Sequence, residues 1–229
     1  AHISGIFSLE DALHLIATRG KLMSSLPKGS MLSVRLPIEK LKPLVPQSLS
    51  LAAINSSQSC VVAGQTADIE AFEKTLMSLD ITCKILATSH AFHSFMMDPI
   101  LETFKMEVDK VQKSIPRIPI ASTATGEWLT DSEALSSDYW TNHLRQTVHY
   151  GDAVNTILKL EDVVLLEVGP GHTLTTLARQ QSSGNILTAF SSLPSENRDI
   201  LLDDYQTILI TLGSLWLHGL NPDWKTFYS

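Results

Sequence analysis

Two histidines three residues apart, His90 and His93 in TSHAFHSFMMDP, are the side chains of this sequence best suited to move a proton near neutral pH. They stand between a strand-like run ending near Ala87 and a helix start at Asp98-Pro99, in the kind of loop where a rigid scaffold presents working groups. Tetrahedral zinc is disfavoured, because no third Cys, His or carboxylate lies at ligand spacing. Two readings stay open for each ring: a buried histidine satisfied by hydrogen bonds, or a general base. Arg19 is the next candidate. Leu9, Leu13, Ile16, Gly20 and Met23 recur at helical spacing, which sets Arg19 at the edge of the face that this helix is expected to bury. A guanidinium there needs an anion, either an Asp or Glu of the chain or a substrate carboxylate gripped by two parallel hydrogen bonds. EVGPGHTL places glycines before a helix start but has no phosphate-loop Lys-Ser/Thr, so it reads as a tight strand-to-helix turn.

The elements that must position these groups follow from periodicity. Ser8 is a good N-cap for the helix that carries Arg19, with Asp11 three residues on, and Ala1 to Gly5 read as the tail of an earlier helix. MLSVRL, LSLAAI, SCVVAG and ITCKILA read as strands, PIEKLKPLV as a short helix, and TADIEAFEKTLMSLD as a longer one behind a Thr66 cap, burying Ile69, Phe72, Leu76 and Leu79. The order β-α-β-β-α-β over residues 31–88 is the split βαβ, ferredoxin-like pattern. Beyond it, Ile100, Leu101, Phe104, Val108 and Val111 form a helical stripe, and RIPIAST reads as a strand. DYWTNHLRQTVHYGDAVNTILKL reads as helical pieces, and VVLLEVG as a central parallel strand covered on both faces. HTLTTLARQQ opens another helix, the polar stretch SSLPSENRD intervenes, and a last helix around LLDDYQTILITLGSLWLHGL leads to the aromatic tail NPDWKTFYS.

The 229 residues are 44% hydrophobic and 18% charged, as in an ordinary globular domain. Seventeen Lys and Arg against 24 Asp and Glu give a formal charge of −7, which argues against a nucleic-acid or anionic-membrane partner. Cys60 and Cys83 lie in strand-like runs without CxxC or Cys/His spacing and read as buried free thiols of a reducing, cytoplasmic compartment. No apolar run is long enough for a signal peptide or a membrane span.

GIFSLEDALHLIATRGKLM, INSSQSCVVAG, TSHAFHSFMMDPI, DYWTNHLRQTV, LLEVGPGHTLTTLARQ and LGSLWLHGLNPDW, in this order and spacing, resemble the acyltransferase domains of modular type I polyketide synthases. These domains are related to the malonyl-CoA:acyl carrier protein transacylases of fatty-acid synthesis. The resemblance implies an α/β-hydrolase-like core, here residues 1–30 and 89–190, interrupted by the ferredoxin-like subdomain 31–88 and followed by a post-acyltransferase linker, 191–229. It implies two-step transfer: a Ser takes a malonyl group from coenzyme A and passes it to the phosphopantetheine thiol of an acyl carrier protein, with no bound cofactor or metal. On matching positions His93 is the catalytic base, Arg19 binds the substrate carboxylate, and a backbone carbonyl at His149 orients His93. His90 belongs to the pocket wall, Asn55 and Gln58 in the turn NSSQ face the cleft, and Phe92 fills the space that an α-methyl group would need. HAFH accompanies malonyl selection in such domains, as YASH accompanies methylmalonyl. The family's GHSxGE nucleophile motif does not occur in the chain, and Ser4 of AHISG does not fit its geometry. The chain is therefore expected to begin just downstream of the catalytic serine and to be inactive by itself. The implied partners are the carrier protein and a ketosynthase of the same polypeptide; a non-catalytic docking piece for these partners is the alternative.

Overall fold

The alternation of residues 31–64 yields strands whose two faces are both buried. The computed structural model describes residues 1–181, 187–194 and 203–228. They pack as two compact units, Ala1–Thr156 and Ile157–Ser229.

In the first unit, helix α1 (Leu9–Ser24) is followed by β1 (Ser30–Val34), α2 (Ile38–Leu41) with a short 3-10 extension, β2 (Leu49–Ser56), β3 (Ser59–Gly64), α3 (Thr66–Ser78) and β4 (Cys83–Ile85). The strands form one antiparallel sheet in the order β4-β1-β3-β2, the ferredoxin-like arrangement expected from the element order. Period-2 side-chain alternation sends Leu32, Val34, Cys60 and Val62 to one face, where Leu41 of α2 and Ile69, Phe72 and Leu76 of α3 cover them. Met31, Val61 and Ala63 point the other way and pack with Ala91, Phe92 and Val148. Leu79 is exposed, because α3 ends at Ser78 and the chain turns there. Gln65 rather than Thr66 occupies the N-cap of α3, and the Thr66 hydroxyl instead meets that of Ser30 at 2.9 Å.

The further α-helices of this unit are α4 (Leu101–Lys110), α5 (Asp131–Leu135), α6 (Ser137–Asn142) and α7 (Tyr150–Ile157), whose last residue crosses the boundary. Ile100, Phe104, Val108 and Val111 are buried as the stripe predicts, against Leu15 and Met23 of α1. Ser8 caps α1, its Oγ accepting from the Asp11 amide at 3.0 Å. The buried face of α1 matches the expected one only at Met23. Leu15 and Met23 are buried with Ala12 and Leu22 beside them, while Leu9, Leu13 and Ile16 are exposed, Ile16 by 67%. Apolar residues occupy two stripes of this helix, and α4 takes the second. Residues 1–6 form turns closed by Gly5 N–H to His2 O and Ile6 N–H to Ala1 O rather than a helix. RIPIAST is not a strand: only Ala121 makes a bridge, to Trp128, and Pro119 removes a ladder donor. Asp98 does not cap a helix; Ser94 caps the 3-10 turn before α4, and Asp98 pairs with Arg145 at 2.7 Å.

The second unit contains β5 (Leu165–Pro170), α8 (Thr173–Arg179), β6 (Ala189–Leu193), α9 (Asp204–Leu217) and α10 (Trp224–Phe227). β5 and β6 pair in parallel. Among the described residues β5 has this one neighbour and leaves Val168 83% exposed, so the expected double coverage is not seen there. The EVGPGHTL segment is a tight strand-to-helix turn, with Gly169 and Gly171 at positive φ. Glu167 accepts from the Leu174 and Thr175 amides at 3.1 and 2.8 Å, so the chain's own carboxylate occupies the start of α8. Most of SSLPSENRD lies outside the described residues. Trp216, Trp224, Phe227 and Tyr228 of the tail pack on one another, ring to ring. No helix of the described residues is long and apolar enough to cross a membrane.

Candidate active site

β2 is an edge strand, and the site begins at that edge. Ile54 donates to the Val148 carbonyl at 2.8 Å, Val148 donates to Ala52 O at 2.9 Å, and the Thr147 hydroxyl donates to Leu51 O at 2.7 Å. The Phe95 amide reaches Ser50 Oγ on the same strand at 3.3 Å. Residues 147–148 thus extend the sheet, and both flanks of the site are fixed to one rigid strand. The carbonyl just before them, Gln146 O, meets His93 Nδ1 at 3.0 Å.

A carbonyl can only accept, so Nδ1 carries the proton and Nε2 keeps its lone pair. His93 sits at φ 57, in the left-handed region that non-glycine residues rarely occupy. Burial lowers its pKa below the ordinary value, against the Gln146 hydrogen bond, and the nearby Arg19 charge lowers it further. Its ring is therefore neutral at pH 7.

The orienting carbonyl differs from the expected one. His149 O accepts from the Ala153 amide at 3.0 Å, as the first acceptor of α7, and is thereby engaged in the helix. The His149 ring bonds Asp152 Oδ2 at 3.1 Å. Helix chemistry takes one carbonyl and leaves Gln146, three residues earlier, to hold the imidazole.

His90 has both ring nitrogens engaged, Nδ1 with Ser89 Oγ at 2.8 Å and Nε2 with Leu26 O at 3.2 Å. It is buried, 6.1 Å from the Phe92 ring, and ties the loop to the turn after α1 instead of facing the cavity at Arg19. Close approach of the chains there depends on Gly29, where a Cβ would lie 2.8 Å from Ala91 Cβ and 2.9 Å from Gly64 O. Phe92 is half-buried and joins the α1/α4 core to the sheet's second face. Asn55 lies within β2, and Gln58 is exposed in a two-residue hairpin turn shorter than the expected NSSQ. Neither lines the cavity at Arg19.

That cavity, about 380 Å³, is lined by Arg19, Ile16, Phe104, Trp140 and His143 among others. Arg19 has no ion-pair or hydrogen-bond partner among the described residues, and burial lowers its pKa. His93 is not itself a lining residue, but it stands near enough for the Arg19 charge to act on it. His143 was not singled out by sequence reasoning; it lies in a polar helical piece, and only the fold brings it beside Arg19. Among the described residues no group of three or more His, Cys, Asp or Glu could hold a metal ion. Both cysteines are free, and burial, then Glu39, pushes the Cys60 thiol up to about 11. Ser4 is buried, its Oγ donating to Ala1 O at 2.8 Å.

Comparison with known proteins gives the family. Residues 1–212 match the model of the acyl transferase domain. The chain is 31% identical over 98% of its length to a phenolphthiocerol/phthiocerol polyketide synthase of Mycobacterium tuberculosis, covering 15% of that protein. It is 35% identical over 97% of its length to polyketide synthase GfsB of Streptomyces halstedii, covering 4% of it. Among solved structures, the acyltransferase domain from the second module of the salinomycin polyketide synthase superposes over all of this chain and 54% of its own, with a TM-score of 0.91 and 30% identity. The acyl transferase domain of ZmaA covers 99% of this chain and 52% of its own, with a TM-score of 0.89 and 33% identity. FabD from Acinetobacter baumannii shares the fold, with a TM-score of 0.78 over 93% of this chain and 68% of its own, at 24% identity. The chain spans about half the length of the solved polyketide synthase domains and a small part of the curated synthases. It shares their α/β fold, with the ferredoxin-like sheet, and it belongs to the acyl transferase domain family, of the kind found in polyketide synthases.

Proposed function

We propose that this chain supplies the base and the carboxylate anchor of a malonyl transfer from coenzyme A to the phosphopantetheine thiol of an acyl carrier protein. The observation that carries the reading is the pairing of His93 Nδ1 with the Gln146 carbonyl, which leaves Nε2 as a free base close to an unpaired guanidinium. A serine hydroxyl from outside these residues attacks the thioester carbonyl while His93 Nε2 takes its proton. The tetrahedral intermediate expels the coenzyme A thiol, which leaves with that proton, and an acyl-serine remains. In the second half the carrier thiol loses its proton to His93, attacks the acyl-serine, and the serine departs with the proton. Arg19 holds the free carboxylate of the malonyl group throughout, which pairs a half-buried cation that has no partner among the described residues.

Phe92 is the steric gate against an α-methyl branch; a shape filter over one methyl group is worth about 1–3 kcal/mol. Residues 1–30 with 89–190 serve as the catalytic body, 31–88 as the subdomain that fixes its geometry, and 191–229 as the linker toward a ketosynthase. The test is carrier-protein acylation by the full-length polypeptide. His93→Ala is expected to slow transfer about 10²- to 10⁴-fold, and Phe92→Ser to raise methylmalonyl use relative to malonyl. An unchanged rate in His93→Ala would remove His93 as the base.

A further inference from the structure

His143 lines the cavity at Arg19, at the C-terminal end of α6, and its ring is held from two sides. It stacks on Trp140 at 5.8 Å between centroids with 22° between planes, and meets the edge of Tyr139 at 4.7 Å. Those rings are anchored in turn: Trp140 Nε1 donates to Ala134 O at 2.8 Å, and the Tyr139 hydroxyl bonds Ser122 Oγ at 2.7 Å. The imidazole is thus placed before any ligand arrives. Its Nε2 is buried and has no hydrogen-bond partner among the described residues. Burial first, then the charges of Arg19 from α1 and of His93 from the loop after β4, push its pKa down to about 4. The ring is neutral at pH 7, so it offers a directional hydrogen bond and not a second cation.

Buried polar atoms left unpaired in a cavity are costly, and the cost is relieved by whatever ligand pairs with them. The cavity brings together a half-buried guanidinium without a carboxylate and a buried imidazole nitrogen without an acceptor among the described residues, on walls that include Ala1, Leu15, Ile16, Phe104 and Trp140. Apart from these, its polar lining includes His2, whose Nδ1 is taken by the Phe7 carbonyl at 3.1 Å. We infer that His143 is a second recognition residue for the substrate, donating from Nε2 to the same carboxylate that Arg19 draws into the cavity. This rests on the reading of Arg19 as the carboxylate anchor. An acyl group without a free carboxylate leaves both polar groups unpaired and is disfavoured twice, whereas a dicarboxylic acyl group satisfies both.

Malonate is the probe, titrated into the full-length polypeptide with ¹⁵N-labelled histidine. The His143 Nε2 resonance is expected to move with malonate concentration. His143→Phe, which keeps the ring stacking, is expected to weaken malonate about tenfold, the loss of one charge-assisted hydrogen bond. His143→Gln, which keeps a donor, is expected to recover most of that loss. Malonate that binds with Arg19-dependent affinity but leaves the His143 resonance unmoved overturns this inference and spares the role of Arg19. Equal weakening in the Phe and Gln variants with an unmoved resonance marks His143 as structural and overturns it as well. Binding unaffected by Arg19→Ala, or no binding at all, overturns the reading beneath it. The wild-type resonance decides the matter even where a variant fails to fold.

Discussion

Along β1 and β3 the backbone pairs in register from Ser30↔Gly64 to Val34↔Cys60, and the side chains of both faces are closed in by helices on one side and by residues 91–97 on the other. Around the cavity at Arg19, in the same unit, a half-buried guanidinium and a buried imidazole nitrogen have no partner among the described residues. The first region satisfies every paired group from within the chain, and its energy goes into holding a shape. The second leaves strong hydrogen-bonding groups unsatisfied, which costs stability and is retained where a ligand completes the set. The histidines of HAFH repeat the contrast at short range. His90 has both nitrogens engaged, while His93 has one, and the free one is the basic one.

Substitutions can break or sharpen that contrast. The largest effect on stability is expected in the sheet, where Leu32 is fully buried. Leu32→Ala should cost about 2–5 kcal/mol, read from hydrogen exchange of the β1 and β3 amides; a loss confined to tenths of a kcal/mol would mean that the sheet is not the rigid frame of the site. Next come two changes of opposite sign. His90→Ala strips the Leu26 carbonyl of its donor and should destabilise by about 1–3 kcal/mol, whereas Arg19→Met should leave urea stability unchanged or raise it while abolishing malonate binding. Equal destabilisation by both would show that Arg19 is a structural residue after all.

A pH dependence follows from the lowered His143 pKa. Between about 4 and the ordinary 6.5 the unfolded chain binds a proton at this position that the folded chain does not. The unfolded state therefore gains as pH falls, and stability is lost from pH 6.5 down to about 4. The slope is at most about 1.4 kcal/mol per pH unit for one proton. His93, lowered in the same direction, adds to it. His143→Phe should flatten that part of the pH profile; an unaltered slope would place the ring in solvent. The smallest effect is expected at Gln58, exposed in the hairpin turn. Gln58→Ala should stay within about 0.5 kcal/mol in stability and leave transfer kinetics unchanged, and a large loss of transfer would return this turn to the site.

Periodicity carried the small sheet because half of its information is local: alternating apolar residues, a two-residue turn and an amphipathic α3 can be satisfied in one way. On α1, Leu9, Leu13 and Ile16 are as apolar as Leu15 and Leu22, and only the packing of α4 chose between them. The orienting carbonyl differs from the expected one for a similar reason. Gln146 and His149 are three residues apart, and which one faces His93 depends on where α7 begins.

The amino-acid sequence by itself determined the antiparallel subdomain, the cap of α1 and the family. The tertiary structure decided which partner each polar group has: that His90 is spent on Leu26 and Ser89, that Gln146 fixes the His93 tautomer, and that His143 Nε2 has no partner among the described residues. Hydrogen-bond satisfaction belongs to neighbours distant in the chain, as Gln146 is from His93 and Leu26 from His90, and no local pattern encodes it.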